Sequence, residues 1–364
     1  SLGGGGSEVA LIELINALPE ELYNITLVLL DSDNEYAYRL KKNVNIVQLT
    51  FNSSFAKSLV SMYAFPAKVL KKLSVNSFIA YYDFISNCVT NVFEKTYDIA
   101  IDFYGYGSFV TAFLATKIQA KKKATWLHDE KPYWMKSVQK YLCEYDKIYG
   151  VSQAVVDAFC REYPHYKDKA AVFYNVIDIE EIKRKSEQDE IIPFKESFNI
   201  VTVGRLTEQK GYDIAIKAAS ILKKRKINFA WYAIGGGRDE KKLKKLVEKY
   251  CLENQFVFLG RKKNPYPYMK HCDLYVQPSR HEGYVITLVE ARALCLPILS
   301  SDIPSAREQI QDGINGYVAE LSAEDLADKI EYLYNNPSQR KKTVEYLKEH
   351  PIDFSTELLK LEII

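Results

Sequence analysis

The stretch "FNIVTVGRLTEQKGYDIAIKAASILKKRKINFAWYAIGGG", residues 198–237, decides the fold. Its two ends, 198–204 and 228–237, are apolar runs of strand length. Between them lies a helical pattern that starts just after Lys210. Strand, helix, strand is the signature of a βαβ unit and a parallel sheet. The alternation continues with "QFVFLG" (255–260), "DLYVQPS" (273–279), "LPILSS" (296–301) and "GYVAEL" (316–321). Helical patterns such as "RDEKKLKKLVEKYCLEN" and "SAEDLADKIEYLYNN" separate these runs, and the second opens with Ser322-x-x-Asp325, the spacing of a capping box.

Upstream the same grammar recurs. "NITLVLL" (24–30), "VNIVQLT" (44–50), "YDIAIDF" (97–103), "KKATWLH" (122–128), "KIYGVS" (147–152) and "AAVFYN" (170–175) read as strands, with two or more helices expected between about Ser54 and Thr96. The polar segment "EEIKRKSEQDEIIPFKES" lacks a strand and is expected to join the halves. The expected organisation is α/β: two doubly wound Rossmann-like domains, 1–186 and 187–350, facing a cleft, with 351–364 packing back toward the first. Such sheets bind ligands beyond the carboxyl ends of their strands. The chain opens with a glycine-rich loop and an amphipathic helix. Such a loop normally follows a strand, so a first strand is expected to be missing.

Composition narrows the class. With 364 residues, 47% hydrophobic and 26% charged, the chain is an ordinary globular sequence, long for one core. A net charge of +2, spread evenly over both halves, gives no general case for nucleic acid. The six cysteines form no C-x-x-C pair, against a disulfide framework or structural zinc, and favour a reducing, cytoplasmic compartment. No apolar run approaches the ~18–20 residues of a spanning helix, so any membrane contact is expected to be peripheral.

Three strand ends carry the candidate chemistry. "VGRLTEQKGYD" (203–213) places Arg205 and Lys210 in one strand-to-helix loop, where two cations can embrace a diphosphate. "AIGGGRD" (233–239) ends the next strand in glycines, including Gly235 and Gly236, which permit close approach of a ligand. "PSRHEGYVITLVEA" (278–291) holds Glu282 and Glu290. On a continuous helix they would share a face about 12 Å apart, too far to share a proton. The spacing fits two carboxylates gripping different parts of an elongated ligand, and Gly283 suggests that the first sits on a loop. The "GGGG" at 3–6, with Gly4, Gly5 and Gly6 before a helix, is a weaker phosphate-binding candidate.

Taken together, "VGRLTEQKG", "AIGGGRDEKKL", "VFLGRKKNPYPYMKHCDLYVQPSRHEGYVITLVEA" and "SSDIPSAREQIQDGINGYV" resemble the successive blocks of the GT4 family of retaining glycosyltransferases, which have the GT-B fold. The resemblance is dense from about 198 to 320 and extends to the "GGGGSE" loop and "YNVID". It implies that Glu282 hydrogen-bonds the donor sugar and Glu290 the nucleotide ribose, and that Arg205 and Lys210 hold the diphosphate. Backbone N–H groups of Gly283, Tyr284, Val285 and Ile286 would face the donor at a helix amino end. The base would pack near Arg261 and Lys262. His128, in "TWLHDE", matches the histidine that the family aims at the donor sugar from across the cleft, with Asp129 and Glu130 orienting the acceptor. The implied reaction is a metal-independent transfer with retention, from a nucleotide sugar, UDP by default, to a glycan, lipid-linked or protein acceptor. No cofactor and no metal are expected. "YVI" after Gly283 lacks the second glycine of the frequent E-G-F-G form, which leaves the sugar open.

Two basic clusters bear on partners. Lys57, Lys68, Lys71 and Lys72 lie in an apolar stretch without acids, and Lys117, Lys121, Lys122 and Lys123 form a second group. They raise peripheral contact with an anionic membrane, at the inner face of the plasma membrane. The rival readings are a non-catalytic glycosyltransferase-like co-activator, which should have lost a diphosphate cation or a glutamate, and a sugar-nucleotide epimerase.

Overall fold

The computed structural model describes residues 6–30, 37–41, 43–55, 58, 75–105, 109–188 and 197–362. The chain divides into two compact units, Ser1–Ile177 with Phe354–Ile364, and Asp178–Asp353. Each of the expected strand runs contains a strand, and both units are built on parallel sheets.

In the first unit, β1 (Thr26–Leu29) pairs with β2 (Asn45–Gln48) as a two-stranded sheet. A separate four-stranded sheet follows the order β3 (Tyr97–Asp102), β4 (Ala120–Leu127), β5 (Lys147–Gly150) and β6 (Ala170–Val172). The helix Gly6–Ala17 packs Ile12 and Ile15 on Leu27 and Leu29. Between Ser54 and Thr96 one long helix, Val75–Asn87, is described. The short helix Ser355–Leu359 is fastened to this unit: Glu357 accepts the Tyr174 N–H at 2.9 Å and the Lys360 ammonium at 2.8 Å.

In the second unit, six parallel strands lie in the order β12 (Tyr317–Ala319), β11 (Ile298–Ser301), β10 (Leu274–Gln277), β7 (Phe198–Val203), β8 (Phe229–Ile234) and β9 (Phe256–Gly260). Both faces are covered, which explains why the strands read as continuous apolar runs. Alternate residues feed two cores: Trp231 and Ala233 of β8 enter one, Ala230 and Tyr232 the other. The segment read as a joining region begins as a helix, Ile179–Ser186, because Asp178 caps it by accepting the Glu181 N–H at 2.8 Å. Ser322 caps Ala323–Asn335 through the Asp325 N–H at 3.1 Å; the reciprocal Asp325 bond goes to the Glu320 N–H, two residues upstream of the usual place.

The order of this sheet reverses between β7 and β10. Strands on either side send their connections to opposite faces, so the loops at their carboxyl ends diverge and leave a crevice. The Arg205–Lys210 loop follows β7 and the Glu282 loop follows β10.

Candidate active site

After β7 the chain makes a short turn, Glu208–Lys210, and enters the helix Tyr212–Lys224 through Gly211. Gly211 has φ +66°, and a Cβ there would lie 1.8 Å from the Pro278 carbonyl oxygen. Only glycine lets the β7 loop rest on the β10 loop. The contact delivers Lys210 to Glu282: Nζ donates to Oε1 at 2.6 Å, and both side chains are largely buried. The Lys210 stem packs over Gly204, its Cδ 3.5 Å from where a Cβ at that position would lie. Arg205 is exposed, and its guanidinium has no hydrogen-bond or ion-pair partner among the described residues.

The Glu282 loop is pinned from several sides. Ser305 donates to the Glu282 carbonyl at 2.8 Å, Gln209 to the His281 carbonyl at 3.0 Å, and Ser301 to the Ser279 carbonyl. Arg280 grips Asp213 through two bonds of 2.8 Å, and this ion pair holds the Asp213 carboxyl below its usual range. Glu282 itself is 7% exposed. Its Oε1 accepts the Ser279 hydroxyl at 2.7 Å in addition to Lys210.

The helix begins at Ile286, so Glu282 sits on the loop before it and Glu290 within it, as the Gly283 break suggested. Glu290 accepts the Tyr266 hydroxyl at 2.9 Å. Val285 is buried in the core, Tyr284 and Ile286 are half-buried, and the first helical N–H groups lack i−4 partners.

The glycines after β8 have a structural duty that sequence reading missed. Gly235 has φ +148°, and a Cβ there would meet the Gly204 carbonyl oxygen at 1.9 Å; one on Gly237 would meet the Leu206 carbonyl oxygen at 2.5 Å. These residues pack the β8 loop on the β7 loop. The Arg261 side chain lies across Gly236, with Nε 3.0 Å from where a Cβ would be, and the Lys262 ammonium stands 5.0 Å over the Tyr268 ring.

In the first unit, His128 ends β4. Its Nε2 lies 2.6 Å from the Phe103 carbonyl oxygen, and its ring is 5.0 Å from that of Phe103. A carbonyl only accepts, so Nε2 carries the proton. Burial lowers the His128 pKa to about 4, which keeps the ring neutral at pH 7. The Phe103–Gly105 loop is set by Asp102, whose buried carboxylate accepts the Gly105 N–H at 3.1 Å, the Thr111 hydroxyl at 2.6 Å and the Thr125 hydroxyl at 3.1 Å. Asp129 turns back on itself, accepting the Lys131 N–H at 3.0 Å, and Glu130 is half-buried beside it.

Gly6 is exposed at the start of its helix, whereas Gly4 and Gly5 lie outside the described residues. So do Lys57, Lys68, Lys71 and Lys72. The second lysine group is engaged locally: Lys121 pairs with Asp98 at 2.6 Å, Lys122 with Asp146 at 3.4 Å, Lys117 donates to Asn87 at 2.6 Å and Lys123 to the Ala115 carbonyl at 2.7 Å. The sequence carries a D-x-D triplet, Asp31-Ser32-Asp33, which bears against the expectation of no metal. It too lies outside the described residues.

Residues 183–350 match the family model of glycosyl transferases group 1. An uncharacterized glycosyltransferase of Methanocaldococcus jannaschii is 33% identical over 172 residues, covering 46% of this chain and 40% of the relative. A Campylobacter jejuni enzyme named N-acetylgalactosamine-N,N'-diacetylbacillosaminyl-diphospho-undecaprenol 4-alpha-N-acetylgalactosaminyltransferase is 30% identical over 184 residues, 48% of this chain and 49% of its own. The matches thus span about half the length of these relatives. The fold is the GT-B fold. Anabaena HepE, solved with UDP and glucose, superposes with a TM-score of 0.73 at 17% identity, covering 99% of this chain and 96% of HepE. The lipopolysaccharide outer core galactosyltransferase WaaB gives 0.67 at 14% identity, covering 100% and 96%.

Proposed function

We propose that the protein transfers a sugar from a nucleoside-diphosphate sugar, UDP-linked by preference, to a hydroxyl of a glycan, lipid-linked or protein acceptor. The observation that carries this reading is the Lys210–Glu282 pair, brought to 2.6 Å at the crevice where the sheet order reverses. A lysine ammonium has three N–H donors. One is spent on Glu282, which leaves two for phosphate oxygens, and Arg205 adds a planar, bidentate donor at the same strand end. In the reaction the bond from the anomeric carbon to the diphosphate breaks and negative charge grows on the leaving oxygens. Fixed cations favour that charge separation most strongly as it develops.

Under this reading Glu282 takes a sugar hydroxyl and Glu290, steadied by Tyr266, the ribose. Transfer proceeds with retention and without a metal, the departing phosphate oxygen removing the acceptor proton on the same face. Neutral His128 is carried forward as a donor-sugar contact, and Asp129 and Glu130 as acceptor contacts. The identity between 30% and 33% to proteins named glycosyltransferases supports the donor chemistry.

A calorimetric screen against UDP-, GDP- and ADP-sugars tests the reading, followed by UDP release assayed with and without EDTA. Saturable binding of a UDP-sugar and EDTA-resistant release are expected. No binding of any nucleotide sugar would remove the proposal, and loss of turnover in EDTA restored by Mg²⁺ would remove its metal-free part.

A further inference from the structure

We infer that Gln277 is a positioning residue for sugar transfer, acting by fixing the direction of a hydrogen-bond chain that ends on Glu282; the inference rests on the function proposed above. Gln277 is the last residue of β10, in a sheet buried on both faces, and is 1% exposed. A buried primary amide must find partners for a carbonyl oxygen and an NH₂ group. The neighbours decide which end points where. The hydroxyls of Tyr275 and Thr287 converge on Oε1, the latter at 3.0 Å, and donate to it. Nε2 lies 2.6 Å from the Ser279 hydroxyl oxygen. Ser279, 0% exposed, has a single proton, and 2.7 Å from its oxygen is Glu282 Oε1, which is also 3.4 Å from Nε2.

The chain therefore has one direction. Nε2–H occupies a lone pair of the serine oxygen, and this stops the hydroxyl from rotating, so that its proton is committed to Glu282. With Lys210 on the same atom, Oε1 is saturated by protein donors. Among the described residues Oε2 accepts no hydrogen bond, which leaves it as an acceptor for a hydroxyl of the ligand. The amide thus holds the carboxylate with one particular oxygen presented. A buried hydrogen-bonded network of this kind resists rearrangement more than its separate bonds would suggest.

The test compares Gln277→Leu and Gln277→Glu with the wild type in full-length protein, measuring UDP affinity by calorimetry and donor turnover over pH 5.5–8.5. Gln277→Leu frees the serine rotor and should lower turnover at least tenfold while UDP affinity stays within twofold, because ribose and diphosphate are held by other groups. Gln277→Glu places a second carboxylate on the serine, competing for its proton and repelling Glu282. A shared proton restores the donor, so turnover in this variant should rise as pH falls, over a range where the wild type changes little. Turnover within twofold of wild type in both variants overturns the inference, as does a parallel loss of UDP binding and turnover, the mark of a purely structural role. A wild-type protein that binds UDP but transfers no sugar instead removes the proposed function, and this inference with it.

Discussion

The two units are built from the same strand-helix alphabet, yet their strand ends differ. In the second unit the six described strands share one sheet, and the loops after β7, β8 and β10 rest directly on one another through Gly211 and Gly235. In the first unit the described strands form sheets of two and four, β2 is largely exposed, and the functional candidate His128 is fixed through a neighbouring loop and Asp102. The polar groups at the second unit's strand ends are held by contacts between these loops. A site of this type needs little reorganisation to stabilise developing charge.

The contrast can be broken at its strongest point first. Glu282→Ala and Lys210→Ala should each lower donor turnover at least tenfold, equivalent to about 1.4 kcal/mol of barrier. Each also strands its partner in a mostly buried site, so the second unit should lose up to about 3 kcal/mol of stability. The double variant should cost less than the sum of the single ones, because the residues touch. Turnover and urea midpoints of the three variants check this; additive losses would show that the pair does not act together.

Gly211→Ala is the next sharpest probe. A side chain at φ +66°, 1.8 Å from the Pro278 oxygen, cannot be accommodated without parting the two loops. A loss of about 2 kcal/mol is expected, read in the unfolding transition of the second unit and accompanied by weaker UDP binding. Full UDP affinity in a destabilised variant would mean that the loop contact serves stability alone.

The smallest effect belongs to the first unit. The His128 pKa lies at about 4, below its ordinary 6.5, so the unfolded chain takes up a proton that the folded one refuses as pH falls between these values. The contribution to stability is therefore intact above pH 6.5 and lost on acidification, by about 1–2 kcal/mol near pH 5. His128→Gln should flatten that dependence in the first unit and leave the second unchanged. Urea midpoints at pH 7 and pH 5 measure it, and an unchanged acid response would show that other groups govern it.

Much of this was legible in the sequence. Apolar runs located the strands, because parallel strands buried on both faces cannot contain many polar residues. Arg205, Lys210 and Glu282 stood out as charges in the loops after strands, and Gly283 correctly separated Glu282 from the helix that holds Glu290. The supports behind them were not visible. Ser305 reaches the Glu282 carbonyl from the short helix Pro304–Arg307, and Arg280 reaches Asp213 across 67 positions. Such partners are neighbours only once the sheet order is known. One signal was present and unused: Gln277, a polar residue ending an apolar strand, had to be satisfied by something buried. The partners of the lysines at 117–123 were equally hidden: Asp98 and Asp146, distant in sequence, pair with Lys121 and Lys122.

The central claim is that the crevice between the β7 and β10 loops holds the diphosphate of a nucleotide sugar. Titration calorimetry of UDP into wild-type protein and Lys210→Ala, with Lys121→Ala as a charge-matched control outside the crevice, tests it most directly. The account predicts saturable binding by the wild type and the control, and at least tenfold weaker binding by Lys210→Ala. Equal affinity in all three proteins would contradict it.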